Sequence, residues 1–291
     1  MIRLLKAEFG RCLKGKLFWL MVIFTFVMGV SCNVVRYIDF RRNSNEAANE
    51  VVYNDTMLYV GLISASVLVG IFVVFHAGME FDEGTIRNKL VAGNSRSAIY
   101  LCNFAICSFA SIVMQYIFFF AAFASSYAFF GAFHHPFSVM MQLQLMGSLG
   151  IVALTAFMLM LTMILRSKTI SIAVCLIAAV VIFAVGTIVT TDITEHSIEL
   201  SDYGEEIMSP EKYDILDRYS YVYGVDSENC KGKELFIKEQ LYDGLFQCHV
   251  YRFSSERELP YHWQYMLIYD IAIIAVTTAA GVFLFRRLDL K

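Results

Sequence analysis

Residues 97–165 decide the class of this protein: SAIYLCNFAICSFASIVMQYIFFFAAFASSYAFFGAFHHPFSVMMQLQLMGSLGIVALTAFMLMLTMIL. This run of 69 residues contains no Asp, Glu, Lys or Arg. A soluble core needs no such stretch, whereas a helix that crosses a bilayer needs about 20 consecutive, mostly apolar residues. The whole chain of 291 residues is 58% hydrophobic and 17% charged, where soluble domains average about 45–50% and about 25%. The sequence therefore predicts an integral membrane protein.

Working outward from this run, the chain contains six stretches long and apolar enough to be transmembrane helices. The charge-free run divides at Gly131–Pro136, since Pro136 lacks an amide donor and suits the first turn of a helix. The six predicted spans are Leu17–Val35, Met57–Gly78, Ala98–Phe130, Phe137–Leu165, Thr169–Thr190 and Trp263–Phe285. The predicted fold class is an all-α polytopic membrane protein with six transmembrane helices.

The remaining sequence organises around these spans. We expect a cytoplasmic interfacial helix at 1–16, helices one to five at 17–190 with a loop at 79–96, an extracytoplasmic domain at 191–262, and the sixth helix with the C-terminus at 263–291. The interfacial helix is predicted because apolar residues recur on one helical face: Ile2, Leu5, Phe9 and Leu13. A disordered basic tail is the alternative interpretation.

Basic residues in the loops set the predicted orientation. The loops and termini on one side of the membrane hold 13 Lys and Arg in 42 residues, and those on the other side hold 10 in 99. Because cytoplasmic loops are enriched in Lys and Arg, we expect both termini in the cytoplasm and the protein in the plasma membrane. A net charge of −3 gives no reason to expect nucleic acid, so membrane lipids are the expected surroundings.

Catalytic and cofactor-binding signatures are missing from the sequence. Gly10–Lys16 matches most of a phosphate-binding loop, but Leu17 stands where a hydroxyl must bind magnesium. No H-E-x-x-H, G-x-S-x-G or C-x-x-C motif occurs, and His134 with His135 supplies too few ligands for a metal site. We therefore expect no catalytic residue, metal or cofactor in this chain, which does not hydrolyse ATP itself.

The loop after the second span, residues 78–96, reads GMEFDEGTIRNKLVAGNSR. Asp82 is the predicted N-cap of a short helix, which would end at Gly93 or Asn94, and Ser95 is the predicted cap of the next helix. An apolar stripe is expected along the short helix: Ile86, Leu90 and Val91. Such a helix suits docking into a groove of a soluble partner, or it lies on the headgroups.

This loop resembles the first cytoplasmic loop of the type-two ABC exporter permease family. In that family an acidic residue, three further positions and Gly-Thr begin the segment that couples to the ATPase, and here Glu80 precedes Gly84-Thr85 in that spacing. Six spans, inward termini and a basic interfacial helix agree with the resemblance. The large outer loop before the sixth span departs from many bacterial members and resembles, in placement, the outer domain of G-subfamily transporters.

The resemblance implies a permease that works with separate ABC ATP-binding subunits and with a second copy of itself or a related permease. ATP and magnesium would be bound by the partner subunit. The implied coupling residues are Glu80, Gly84, Thr85 and Arg87, with Arg166 and Lys168 in a minor second contact. The implied activity is export, as in antimicrobial peptide or drug efflux and immunity, while the residues leave peptide, lipid, drug and ion open as cargo.

The predicted outer segment, residues 191–262, has 16 acidic and 7 basic side chains. Such a segment fits a lid that attracts cationic substrates or a solvated acidic cap. Cys230 and Cys248 both lie in it, and a cysteine pair outside the cytoplasm can oxidise to a disulfide. We expect this disulfide to form.

Asp270 is the only carboxylate inside a predicted span. An intramembrane acid costs roughly 2.5–3.5 kcal/mol on insertion scales, so it should face protein or water. Asp270 either lines the cargo pathway or makes a structural hydrogen bond.

Two other classes of protein stay compatible with six spans. An ion-coupled secondary transporter usually has broken helices and ionisable groups near the midplane, and this chain has no proline inside a predicted span. A non-transporting membrane sensor would use the outer segment as its receptor. An ATPase encoded beside this gene would favour the permease.

Overall fold

A computed structural model describes residues 2–43, 56–131, 133, 136–204, 241, 244–245, 248 and 263–287. The regular structure in these ranges is helical, and no strand occurs among them. Six helices have the length and composition to cross a membrane: Lys16–Arg42, Leu58–Asp82, Arg96–Phe130, Phe137–Leu165, Lys168–Val189 and Trp263–Arg287. The predicted all-α, six-span fold class is confirmed.

The described helices follow a simple order along the chain. They are α1 (Ile2–Lys14), α2 (Lys16–Asn43), α3 (Thr56–Val73), a π-helical turn (Val74–Gly78), α4 (Met79–Asp82), α5 (Thr85–Val91), α6 (Arg96–Phe130), α7 (Phe137–Leu165), α8 (Lys168–Gly204) and α9 (Trp263–Arg287). The α3 helix passes through the π-helical turn into α4 without a break, so the second span is longer than predicted.

Helices α2 and α8 both extend beyond the predicted ends of their spans. The first span was predicted to end at Val35, but α2 continues to Asn43 because the intervening residues include neither Gly nor Pro. Aromatic and basic side chains pack at this end, with the Arg36 guanidinium 5.4 Å from the Phe130 ring centroid. Such contacts are typical of a membrane boundary. Residues 191–203 also include neither Gly nor Pro, and α8 continues to Gly204, into the predicted outer domain.

The core of the bundle is built on α6 and α7, with α2, α3 and α9 packed against them. Glycines allow two of these contacts to be close. A methyl group at Gly61 would lie 2.0 Å from the Phe118 ring, and one at Gly281 would lie 2.1 Å from Tyr100 Oη. These glycines therefore set how near α3 and α9 come to α6.

Buried hydrogen bonds also join the spans. Asn33 donates to Ala122 O at 2.9 Å and to Ser125 Oγ at 2.8 Å, which links α2 to α6. Gln115 donates to Gln144 O at 2.9 Å, which links α6 to α7. Interhelical hydrogen bonds of this kind contribute about 0.6 kcal/mol on average in membrane bundles.

Most of the predicted outer segment lies outside the described residues. Cys230 is one of the residues outside the described ranges, so the predicted Cys230–Cys248 disulfide stays a prediction. Cys248 itself is buried, with its Sγ 3.7 Å from Gly186 O, and it packs beside Val189 at the far end of the fifth span. The chain after residue 204 therefore returns to α8 before α9 begins.

Candidate functional site

The predicted coupling loop forms a compact helical turn at one end of the bundle. Gly84 separates α4 from α5 and has φ +66°, a left-handed conformation that glycine adopts at little cost. The predicted cap at Asp82 is wrong, because Asp82 is the last residue of α4 and Gly84 occupies the N-cap position of α5. The chain has already turned when it reaches Gly84, since its amide donates to Phe81 O at 3.2 Å.

The end of α5 follows the sequence prediction. Gly93 has φ +83°, and its amide donates to Leu90 O at 2.9 Å. Ser95 caps α6 by accepting a hydrogen bond from the Ala98 amide at 3.2 Å, as predicted. The loop therefore has a defined structure from end to end.

The two faces of α5 have different surroundings. Ile86 is buried in the core of the bundle, and Leu90 is partly buried against it. Val91 is 88% exposed, and Arg87 and Asn88 beside it are exposed as well. The predicted stripe is therefore wrong at Val91, because the helix turns that side chain away from Ile86. We call the exposed residues Arg87, Asn88 and Val91 the outer face of α5.

Glu80 lies under α5 and is only 1% exposed. Its carboxylate is ion-paired with Arg11 of α1 and with Lys89 of α5, whose Nζ is 2.5 Å away. Asn103 of α6 donates to its other oxygen at 2.9 Å. The side chain of Glu80 therefore joins three helices inside the protein and does not reach the surface.

Glu8 completes this network from the buried face of α1. Its carboxylate is 2.6 Å from Arg11 and 3.0 Å from Lys89. Burial lowers the pKa of the Arg11 guanidinium. The nearby carboxylates of Glu80 and Glu8 together raise that pKa by more than burial lowers it, so the pKa lies above its ordinary value. We call Glu8, Arg11, Glu80 and Lys89 the ion-pair network. Removing one partner of a buried pair costs about 3–5 kcal/mol, so the network holds α1 and α5 together.

Thr85 is tied to the same point through the backbone. Its hydroxyl donates to Glu80 O at 3.2 Å. The acidic residue and the Gly-Thr pair of the predicted motif thus act on one turn: Gly84 permits the bend, and Thr85 stabilises it.

Two carboxylates of the network, together with the neighbouring His76, have the composition of a metal site. One ligand atom each from Glu8, His76 and Glu80 lie within 4.8 Å of one another. Both carboxylates are already paired with Arg11 and Lys89, and a divalent cation would have to displace these two cations. The arrangement is therefore that of an ion-pair network.

The second predicted contact, residues 166–168, lies next to the end of the second span. Lys168 Nζ is 4.4 Å from the ring centroid of Phe75, and a methyl group at Gly78 would be 3.3 Å from Lys168 Cα. Arg166 is exposed and ends α7 in a left-handed conformation. The structure therefore brings Arg166 and Lys168 to the same end of the bundle as the 80–96 loop.

Asp270 lies apart from this group. It is 1% exposed and belongs to the face of α9 that packs on the other helices, together with Met266. It precedes Arg287, at the end of α9, by 17 residues, about 25 Å along a helix. Its predicted role in the pathway therefore concerns the opposite half of the membrane from α5.

The sequence did not predict that Glu8, Arg11, Lys89 and Asn103 gather around Glu80. One signal was available for Glu8, which follows Leu5 by three residues and therefore lies on the apolar face of α1. Asn103 gave no signal beyond being a polar residue in an apolar run. The ion pairs join residues that are up to 81 positions apart in the sequence, as Glu8 and Lys89 are, and no local pattern encodes such a contact.

Comparison with known proteins agrees with this architecture. The sequence profile described as ABC-2 family transporter protein matches residues 4–189, nearly two thirds of the chain. The matched region runs from α1 through the fifth span and includes the whole ion-pair network and the 80–96 loop. No curated protein matches the sequence. Six apolar helices and a family match over more than half of its length show that the chain belongs to the ABC-2 transporter family, as the membrane permease component of an ABC transporter.

Proposed function

We propose that this protein is the permease subunit of an ATP-driven exporter, and that the outer face of α5 binds a separate ABC ATP-binding subunit. One observation carries the proposal: α5 is fixed by buried contacts on one side and exposes Val91 on the other. An apolar side chain with polar neighbours on a rigid helix is typical of a docking surface. In this arrangement both termini and α5 lie in the cytoplasm, and the membrane is the plasma membrane.

The ion-pair network suggests how movement of the ATPase would reach the spans. A displacement of α5 would move α1 with it, since Glu8 and Arg11 belong to α1 and Lys89 to α5. Gly15 is all that separates α1 from α2, and Glu80 lies at the end of the second span. Glu80 thus acts inside the permease as a positioning residue, while Arg87 and Val91 contact the ATPase.

The permease works as a dimer in this proposal. Helices α2 and α8 expose many large apolar side chains, including Phe24 and Ile177. These faces suit contact with lipid and with a second permease, where the cargo pathway would form. Cationic peptides or drugs are the proposed cargo, since the segment 191–262 carries an excess of nine acidic side chains that would attract them.

Co-purification of the permease with its ATPase tests the docking surface. Val91→Asp should weaken the association at least ten-fold, because it places a charge in an apolar contact. Ile2→Asp is the matched control, since Ile2 is 84% exposed on α1 and lies outside the proposed surface. Unchanged association of Val91→Asp, or equal losses in the two variants, would reject this docking surface.

ATP hydrolysis in reconstituted vesicles tests the transport function. Addition of a cationic peptide should stimulate hydrolysis by the wild-type complex, and the Val91→Asp complex should lose that stimulation. Peptide transport driven by an ion gradient in the absence of the ATPase would instead identify a secondary transporter.

A further inference from the structure

A groove lies on the outer surface of the bundle between α6 and α9. It has a volume of about 560 Å³. Phe104 forms part of its wall on α6, and the remaining lining residues belong to α9, among them Ala275, Ala279 and Val282. Ala275 and Ala279 are one helical turn apart and both exposed, so their small side chains leave the surface of α9 concave.

Guanidinium groups lie at one end of this groove. Arg286 lines it directly, and Arg287 is held 4.2 Å from the ring centroid of Phe283, another lining residue. Arg96, at the start of α6, donates to Arg286 O at 2.9 Å and joins the two helices there. Among the residues that the structure describes, neither Arg286 nor Arg287 forms an ion pair.

The position of these groups in a membrane protein defines the chemistry of the occupant. The apolar part of the groove runs along α9 within a membrane-spanning helix, and the arginines end that helix. An acyl chain fits the apolar part, while guanidinium groups at the boundary favour a phosphate with net negative charge. We propose that this groove binds an anionic phospholipid, with one acyl chain against Ala275 and Ala279 and the headgroup phosphate on Arg286 and Arg287.

This proposal concerns the lipid-facing surface of the permease and is independent of cargo and of transport direction. A second permease is the alternative occupant. The arginines favour lipid, because two copies related by a two-fold axis that meet at this groove would bring their cationic groups together. Like charges in contact oppose such an interface.

Native mass spectrometry of the full chain tests the proposal. The protein is released from vesicles that contain equal amounts of phosphatidylglycerol and phosphatidylcholine with identical acyl chains. The wild type should retain phosphatidylglycerol in preference to phosphatidylcholine. The double variant Arg286→Gln/Arg287→Gln should lose about 30-fold in that preference, since each basic side chain near anionic lipid contributes about five-fold. Arg3→Gln/Lys6→Gln removes two exposed charges from α1, which has general attraction to anionic headgroups but lies outside the groove, and this matched control should lose clearly less of the preference.

A second pair of variants tests the apolar part of the groove. Ala279→Phe fills it without changing charge and should reduce the bound phosphatidylglycerol. Val276→Phe places the same side chain at an exposed position of α9 outside the lining and should leave the bound phosphatidylglycerol unchanged.

Four results would overturn the proposal. The first two are equal retention of the two lipids by the wild type and equal losses of preference in the two double variants. The third is full retention of phosphatidylglycerol by Ala279→Phe. The fourth is a dimer of the protein that carries no lipid in the groove although the monomer does. The last result would assign the groove to a second copy.

Discussion

Glu80 shows how a residue of the proposed coupling segment can act through contacts inside its own chain, since its side chain is buried. Its carboxylate accepts hydrogen bonds from Arg11, Lys89 and Asn103, and a buried carboxylate needs such partners to stay ionised. The acidic position in the loop motif is therefore explained here by its intramolecular contacts. Loss of function on substitution of Glu80 would report first on the position of α5.

The pair formed by Glu8 and Lys89 carries the first prediction. A double-mutant cycle of Glu8→Ala and Lys89→Ala should give a coupling energy of about 0.5–3 kcal/mol in thermal or denaturant unfolding, because the two side chains are in contact and share partners. A second cycle, of Glu8→Ala and Arg87→Ala, is the control, since Arg87 is on the same helix but exposed. A coupling energy near zero in both cycles would show that α1 and α5 are not held together by charge.

Cys12 carries the second prediction. Burial raises the pKa of this thiol to about 11 from an ordinary value of 9.0, and Glu8 adds to the effect. Because the thiolate is the reactive form, alkylation at pH 8 should be about 100-fold slower than at an exposed cysteine. The rate should keep rising up to about pH 11. Ala7→Cys, exposed on the same helix, is the control and should level off near pH 9. Peptide-level mass spectrometry measures both, and equal rates at pH 8 would contradict the burial of Cys12.

At the scale of elements, composition and capping residues predicted much of the structure. Long apolar runs between charged residues are sufficient to identify spans, and Gly93 and Ser95 mark helix ends because their local backbone chemistry decides them. The π-helical turn at Val74–Gly78 was not predictable, since it shifts the helical period and reflects packing against α7 and α8. The ion-pair network was missed because its partners are remote in sequence.

Gly84 carries the third prediction. A methyl group at Gly84 would meet nothing within 4 Å, so Gly84→Ala tests the backbone alone. It should destabilise the protein by about 1–2 kcal/mol, the cost of a left-handed conformation for an L-residue. Gly70 in α3 also has open space but lies in a regular helix, so Gly70→Ala should be stabilising by about 0.5–1 kcal/mol. Melting temperatures measure both effects, and similar changes of the same sign would show that the turn at Gly84 is not formed.

At the scale of the whole molecule, the two ends of the bundle differ in what they contain. One end gathers α1, α5, the 166–168 turn and the arginines of α9, all held by charge contacts or hydrogen bonds. The family match includes that end as far as residue 189, while α9 lies beyond it and still packs on α7 and α6. The match therefore supports the end of the bundle that holds α1 and α5 most directly, and the proposed cargo pathway would involve α9 and the predicted outer half of the spans.

Asp270 carries the last prediction, which concerns that outer half. Asp270 is buried inside the bundle and α9 packs mainly on α7, so we expect cargo to reach Asp270 only if α9 moves relative to α7. Retaining an acid inside a span is costly, and such residues usually serve function. Asp270→Asn keeps the shape and hydrogen-bonding capacity of the side chain, and we expect a change in melting temperature of only a few degrees together with reduced transport of cationic cargo. Met266→Leu, one turn away on the same buried face, conserves volume and should leave transport unchanged. Transport and cargo-stimulated ATP hydrolysis are measured in the reconstituted complex with its ATPase, and wild-type rates for Asp270→Asn would make Asp270 a structural residue.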